Sequence, residues 1–268
     1  MIKDKIDKYE LLGSLGVGGF STAYKAVSDD GNIVALKKLN PHVIDNTQII
    51  DRFLDEAKIL SKLNHPNICR LLDFFSEEPD YVIIMEYIEG FDLKELMQAK
   101  PNIPLPFKQS KNIANQCLGA LQYAYEMNIL HRDIKPSNIM IDKNENSHVM
   151  DFGIATVIGD ALHKEVYKTL SAAYSAPERF VQDKKADIRS DIYSMGMVFF
   201  EMFTGQKPFY TNNLSEIESW HMNEIPEPVN SLNSSLSPKI TAAIKTALEK
   251  KPENRFKDFL EFREAMGL

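Results

Sequence analysis

Two short segments have the residue types and spacing to handle phosphate groups, and a third is too specific to be accidental. Leu15-Gly16-Val17-Gly18-Gly19-Phe20 lies between two runs that read as strands. Glycines at such a turn let backbone N–H groups approach phosphate oxygens closely. On its own a plain hairpin turn has the same composition. A dinucleotide fingerprint is excluded, because a strand rather than a helix follows. Val34-Ala35-Leu36-Lys37 sets a lysine inside an apolar strand. Most strand lysines simply face solvent, and Lys37 matters only with a carboxylate to hold it. Glu56 lies on the apolar side of the next helical pattern, one turn before Leu60, and would orient the ammonium toward phosphate oxygens. The third segment is His131-Arg132-Asp133-Ile134-Lys135-Pro136-Ser137-Asn138. Its six fixed positions would occur by chance in roughly a few chains of this size per million.

The elements around these residues follow from pattern. Strands are expected at Tyr9–Leu15, Phe20–Val27 and Asn32–Leu39, the last after the turn signal Asp29-Asp30-Gly31. Apolar spacings of three and four at Ile50, Phe53, Ala57, Leu60 and Leu63 predict a helix over Thr47–Leu63. Strands near Cys69–Ser76 and Tyr81–Glu86 come next, then a short connector, Glu86–Gly90. Beyond it, helical spacing runs through Phe107–Met127, Asp187–Phe203, Pro238–Leu248 and Lys257–Met266. Asn138–Ile141 and His148–Met150 flank Asn144–Asn146 like a hairpin. The fold class is therefore α+β, with a small β-rich lobe before a larger helical one. A cleft between lobes is a common place for a ligand.

Composition narrows the classes. The chain has 268 residues, 31 Lys plus Arg and 38 Asp plus Glu, for a net charge of −7. That balance argues against a general nucleic-acid binder. Cys69 and Cys117 stand apart among apolar residues, with neither zinc spacing nor a disulfide framework, and are read as buried thiols. MIKDKIDKYE has no signal-peptide character. The apolar run Met195–Phe200 stops at Glu201, far short of a membrane span. A cytoplasmic location with no membrane contact from this segment is the expectation.

Taken together, the segments closely resemble the eukaryotic-type serine/threonine protein kinases, and most of all their bacterial members. The glycine loop, Val-Ala-Leu-Lys, the helix Glu, His-Arg-Asp, Asp-Phe-Gly at Asp151-Phe152-Gly153 and Ala-Pro-Glu at Ala176-Pro177-Glu178 come in the family's order and spacing, from about Tyr9 to Phe262. The resemblance implies the bilobal kinase fold, with one kinase domain over 1–268. Its N-lobe would be 1–85, its hinge 86–90, its C-lobe 91–268 and its activation segment 151–178. It implies Asp133 as catalytic base and Lys135 neutralising the transferring phosphoryl group, with Lys37, held by Glu56, on the α- and β-phosphates. Asn138 and Asp151 would be the Mg²⁺ ligands, with Mn²⁺ as an alternative. ATP would be enclosed by Leu15, Gly16, Val17, Gly18, Gly19, Phe20 and Ser21. Ala23 and Ala35 would roof the adenine and Met140 would floor it. Met85 would be the gatekeeper, Glu86 and Ile88 would offer backbone hydrogen bonds, and Asp92 would meet the ribose. Leu60, Leu71, His131 and Phe152 resemble the regulatory spine, Arg255 the ion-pair partner of Glu178, and Asp191 the brace of the catalytic loop. The implied partners are protein substrates and ATP, with a homodimer during autophosphorylation.

Some positions depart from the family pattern. Ser21 replaces the third glycine of the loop. Ala23 replaces a valine, which should loosen nucleotide binding by about 1 kcal/mol or more. Ser171 replaces a threonine and follows Leu170. Arg132 could receive a phosphate carried by Thr156, Tyr167, Thr169 or Ser171, with Thr169 leading and Glu165 a partial substitute, although these hydroxyls fit equally well as solvated loop residues. Asp142–Asn146 begins like a calcium loop but lacks its glycine and terminal glutamate. Asn213-Leu214-Ser215 and Asn233-Ser234-Ser235 mark surface loops. A catalytically silent scaffold and a small-molecule kinase are the competing classes. The intact charged set weighs against the first, and the Ala-Pro-Glu and Arg255 apparatus against the second.

Overall fold

The computed structural model describes residues 5–77, 80–152, 172–181 and 187–268. The chain divides into two compact units, Met1–Glu89 and Gly90–Leu268.

The first unit is built on an antiparallel sheet. Its strands are β1 (Lys5–Ile6), β2 (Tyr9–Val17), β3 (Ser21–Ser28), β4 (Ile33–Leu39), β5 (Leu71–Glu77) and β6 (Asp80–Glu86), in the order β1-β2-β3-β4-β6-β5. Successive side chains on a strand point to opposite faces, so register sorts the residues. Ala26, Val34, Leu36, Val82 and Ile84 share one face and pack with Ile6 and Tyr9 into an apolar cluster. The register pairs Ala23 with Lys37 and Ala35 with Met85, so these four occupy the other face.

Helix α1 (Thr47–Leu60) starts at Asn46, whose side chain accepts from the N–H groups of Gln48 and Ile49. Its buried stripe is Ile49, Phe53, Glu56, Ala57 and Leu60. Ile49, not Ile50, opens the stripe. The helix also ends three residues before the expected Leu63. The segment beyond runs into His65-Pro66, and a residue ahead of proline disfavours helical backbone.

The second unit opens with β7 (Gly90–Asp92), β8 (Ile139–Asp142) and β9 (Ser147–Val149), paired in the order β7-β8-β9. The calcium-like residues form the tight β8–β9 turn, where Asp142 Oδ1 accepts from the N–H groups of Asn144 and Asn146. The helices are α2 (Leu93–Gln98), α3 (Phe107–Glu126), α4 (Ile188–Thr204), α5 (Leu214–Asn223), α6 (Val229–Leu232), α7 (Pro238–Ala247) and α8 (Phe259–Met266). Helix α4 is buried almost all round, which accounts for its apolar run at Met195–Phe200. A Cβ on Gly196 would come within 2.9 Å of Ala247 Cβ, so glycine permits the close approach of α4 and α7. Gly205 ends α4 in the left-handed region, at φ 78°.

Several elements were not evident from the sequence. Helix α2 is only six residues long and is held by a capping box between Asp92 and Glu95. Asn213, read above only as part of a surface sequon, is the N-cap of α5 and accepts from Glu216 N–H. Asp187 and Asp258 likewise cap α4 and α8 rather than belonging to them. Both cysteines are buried, and neither is in a disulfide. Burial pushes the Cys117 thiol up to about 12, so it is inert at neutral pH.

Candidate active site

In the first unit the sheet delivers Lys37 to Glu56. Lys37 Nζ lies 2.9 Å from Glu56 Oε1 and 3.2 Å from Oε2. Lys37 is 8% exposed and Glu56 1%. A carboxylate this deep is tolerable only with a cation and hydrogen bonds to match it. Strand β4 aims Lys37 at α1, and the helical stripe aims Glu56 back. Ala23, Ala35 and the buried Met85 share the face that carries Lys37.

The connector differs from its sequence reading. Glu86, expected to offer its backbone to the adenine from the connector, closes β6 opposite Val34, and its N–H donates to Arg70 O at 3.0 Å. Its carboxylate accepts from Arg70 N–H at 2.8 Å. Ile88 lies past the end of β6. Leu15, Gly16 and Val17 finish β2, with Gly16 opposite Ala23, and Ser21 begins β3. Gly18, Gly19 and Phe20 form the turn between these strands.

In the second unit the His131–Asn138 segment folds as a loop. Lys135 Nζ sits 2.6 Å from Asp133 Oδ2. Asn138 Nδ2 donates to Asp133 O at 2.8 Å and to Oδ2 at 3.1 Å. Both side chains meet the same carboxylate oxygen, and among the described residues no donor meets Asp133 Oδ1. Because Asn138 donates through Nδ2, its Oδ1 is left as an oxygen donor. Met150 N–H donates to Asn138 O at 2.9 Å, which ties Asn138 to the residue before Asp151.

Asp191, on α4, holds this loop from below. Its Oδ2 accepts from His131 N–H at 2.8 Å and its Oδ1 from Arg132 N–H at 2.9 Å. Burial raises the Asp191 carboxyl, opposed by the neighbouring His131 and Arg179 and by these two backbone bonds. His131 Nδ1 accepts from Asp133 N–H at 3.2 Å, so Nε2 carries the proton and donates to Met150 O at 2.8 Å. Burial pushes His131 down and keeps it neutral. Its ring lies 4.6 Å from that of Phe152. Arg132 and Asp151 both have left-handed backbone, at φ 66° and 56°. Each such residue costs about 1–2 kcal/mol, here offset by the hydrogen bonds on either side.

Met140, on β8, pairs with Asp92 on one side and His148 on the other. Asp92 Oδ1 is engaged as the α2 cap, 2.7 Å from Glu95 N. Leu60 is buried in α1 and Leu71 begins β5. Gly153, Thr156, Glu165, Tyr167, Thr169, Leu170 and Ser171 lie outside the described residues. Three contributors escaped the sequence reading. Arg179 donates to the Arg132 carbonyl oxygen, and Asn40 and His42 bond to the glycine loop. An Asn-Pro-His following a strand is the only local signal for the last two.

This fold and arrangement define a protein kinase domain. The family model for the protein kinase domain matches residues 9–265, and the chain belongs to that family. Its relatives include serine/threonine-protein kinase PrkC of Bacillus subtilis, 36% identical over 253 residues, covering 93% of this chain and 38% of PrkC. Serine/threonine-protein kinase PknB of Mycolicibacterium smegmatis is 35% identical over 269 residues, covering 96% and 42%. The chain thus spans less than half the length of these relatives. Among solved structures, the kinase domain of PknI from Mycobacterium tuberculosis matches with a TM-score of 0.77 at 25% identity, over 99% of this chain and 96% of that one. Among the described residues no helix is long and apolar enough to cross a membrane.

Proposed function

We propose that the chain transfers the γ-phosphoryl group of ATP to serine or threonine hydroxyls of proteins, itself included. The observation that supports this most directly is the state of Asp133. Lys135 and Asn138 both occupy Oδ2. Oδ1 is left to take the proton of a substrate hydroxyl. As that oxygen bonds to the γ-phosphorus, the bond to the β–γ bridging oxygen breaks and ADP leaves with its electron pair. Lys135 offsets negative charge beside the reacting oxygens. Lys37, fixed by Glu56, holds the α- and β-phosphates. Positioning and charge, not covalent chemistry, supply the rate.

The amide oxygen of Asn138 and the carboxylate of Asp151 are hard donors that suit Mg²⁺ or Mn²⁺. Among the described residues no cluster of three or more His, Cys, Asp or Glu side chains could hold a metal. A cation at Asn138 and Asp151 would therefore complete its shell with phosphates and water, and when bound it would neutralise phosphate charge. In the first unit ATP would meet Leu15–Ser21, Ala23, Ala35 and Met85, and in the second unit Met140. Ile88 N–H and the Glu86 carbonyl oxygen would meet the adenine, and the second oxygen of Asp92 the ribose. A kinase domain over 1–268, working in the cytoplasm and pairing transiently for autophosphorylation, completes the reading.

The test is transfer of radiolabelled γ-phosphate to a generic protein substrate and to the chain itself, beside a panel of small alcohols. Label should enter protein as phosphoserine or phosphothreonine, vanish with EDTA and return with Mg²⁺. Label confined to the small alcohols, or none with either metal, overturns the proposal.

A further inference from the structure

The turn between β2 and β3 is stitched to the segment after β4 by three hydrogen bonds, with a fourth from Thr22 on β3. Asn40 N–H donates to Phe20 O at 2.8 Å. Thr22 Oγ1 donates to Asn40 Oδ1 at 2.7 Å, and Asn40 Nδ2 donates to Gly18 O at 2.8 Å. His42 Nε2 lies 2.9 Å from Gly19 O and must be the donor, since a carbonyl only accepts. The Gly18 carbonyl, which can only accept, fixes the Nδ2 end of the Asn40 amide toward the loop and leaves Oδ1 to the Thr22 hydroxyl. Pro41 opens the 3₁₀ turn Pro41–Val43 that presents His42.

Register shows on which side this happens. Thr22 pairs with Lys38, one step from the Ala23–Lys37 pair. The Thr22 hydroxyl and the Asn40 side chain it meets therefore lie on the face away from Lys37. In a trans peptide the C=O and the following N–H point in opposite directions. Drawing the Gly18 carbonyl to that face turns the Gly19 N–H toward the face of Lys37, and His42 fixes the next carbonyl, that of Gly19.

We infer that Asn40 and His42 are positioning residues for nucleotide binding. They engage two loop carbonyl oxygens, so that these are not presented to the phosphates. This rests on the proposed kinase function and adds to it two residues that touch neither nucleotide nor metal. Their effect should fall on KM for ATP rather than on kcat, because the loop peptides would flip freely without them while Asp133 and Lys135 stay as they are.

The experiment measures KM for ATP, kcat and the affinity for ADP in Asn40→Asp, His42→Ala, their combination, and His42→Gln. Asn40→Asp keeps the acceptor for Thr22 but loses the donor to Gly18. His42→Gln keeps an N–H donor. KM should rise about 5- to 10-fold in each of the first two and further in the combination. Kcat should change less than 2-fold, and His42→Gln should restore most of the loss. These factors correspond to a hydrogen bond each. Unchanged KM in the folded double variant, or a loss falling on kcat alone, overturns the inference. Absence of transfer by the wild-type chain would instead overturn the proposed function.

Discussion

Arg255 Nη1 and Nη2 meet Glu178 Oε1 and Oε2 at 2.8 Å each, joining positions 77 residues apart in the chain. Ser190 Oγ donates to the same Oε1 at 2.6 Å. The guanidinium also donates to the carbonyls of Glu249, Arg189 and Lys250. The pair thus clamps the segment after Ala176 to the start of α4 and the end of α7. Both residues are buried, and every strong donor and acceptor is matched, which is the condition for a buried ion pair to be tolerated.

Breaking that pair should be expensive. Arg255→Met is expected to lower unfolding free energy by about 3–5 kcal/mol, because Glu178 would remain as an uncompensated buried charge. Chemical denaturation measures this. Burial opposes ionisation of Glu178, but the hydrogen bonds and charge of Arg255 outweigh it and hold the carboxyl below 4.5. A depressed carboxylate stabilises the fold above its unfolded value, and that stabilisation is lost as pH falls through the folded value. Wild-type stability should therefore drop on acidification below about pH 4.5, and the drop should be shallower in Arg255→Met.

Lys37→Met should reduce kcat/KM by about 10²–10³-fold, the usual cost of removing one charge-stabilising donor. Glu56→Gln should cost less, since the amide oxygen still accepts from Lys37 Nζ. Steady-state kinetics with thermal melts separates lost activity from lost fold.

Asp133→Asn replaces the oxygen proposed to take the proton. Kcat should fall by about 10²–10⁴-fold, while ATP affinity measured calorimetrically stays unchanged. A parallel fall in both would place Asp133 in nucleotide binding instead.

His221 is enclosed by Phe180, Tyr193, Phe209 and Trp220, with ring centroids 5.2–5.8 Å away. Burial, with Lys250 nearby, pushes it down from 6.5 to about 3. Between these values the unfolded chain binds a proton that the folded chain refuses, so stability falls as pH drops from 6.5 toward 3. His221→Phe should flatten that part of the stability profile, as read from urea midpoints.

Ala23→Val would add two methyl groups on the face that carries Ala35 and Lys37. If the adenine lies there, ATP binding should tighten by about 1 kcal/mol, or roughly 5-fold. Fluorescent-nucleotide titration reads the change, and no tightening would place the base elsewhere.

The N-lobe strands and the main helices were legible because each is specified by local signals. Alternation writes a strand and a spacing of three and four writes a helix. The short elements were not. Helix α2 holds six residues, too few for a period to show, and β7 exists only because β8 pairs with it. Helix ends moved because caps such as Asp187 and Asp258 are single residues that look like helix members until their side chains bond to the backbone.

The chemistry divides in the same way. By itself the sequence determined which residue types stand at which spacing, and thus the family, the charged set from Lys37 to Asp151, and the α+β class. Only the tertiary structure decided that Lys135 and Asn138 share one carboxylate oxygen of Asp133, that Asp191 bonds to two backbone N–H groups some 60 residues back, and that Asn40 and His42 bond to the glycine loop. Spacing along the chain records what neighbours on one element can do. Hydrogen bonds between distant segments depend on direction and distance in space, and those come into being only when the core has packed.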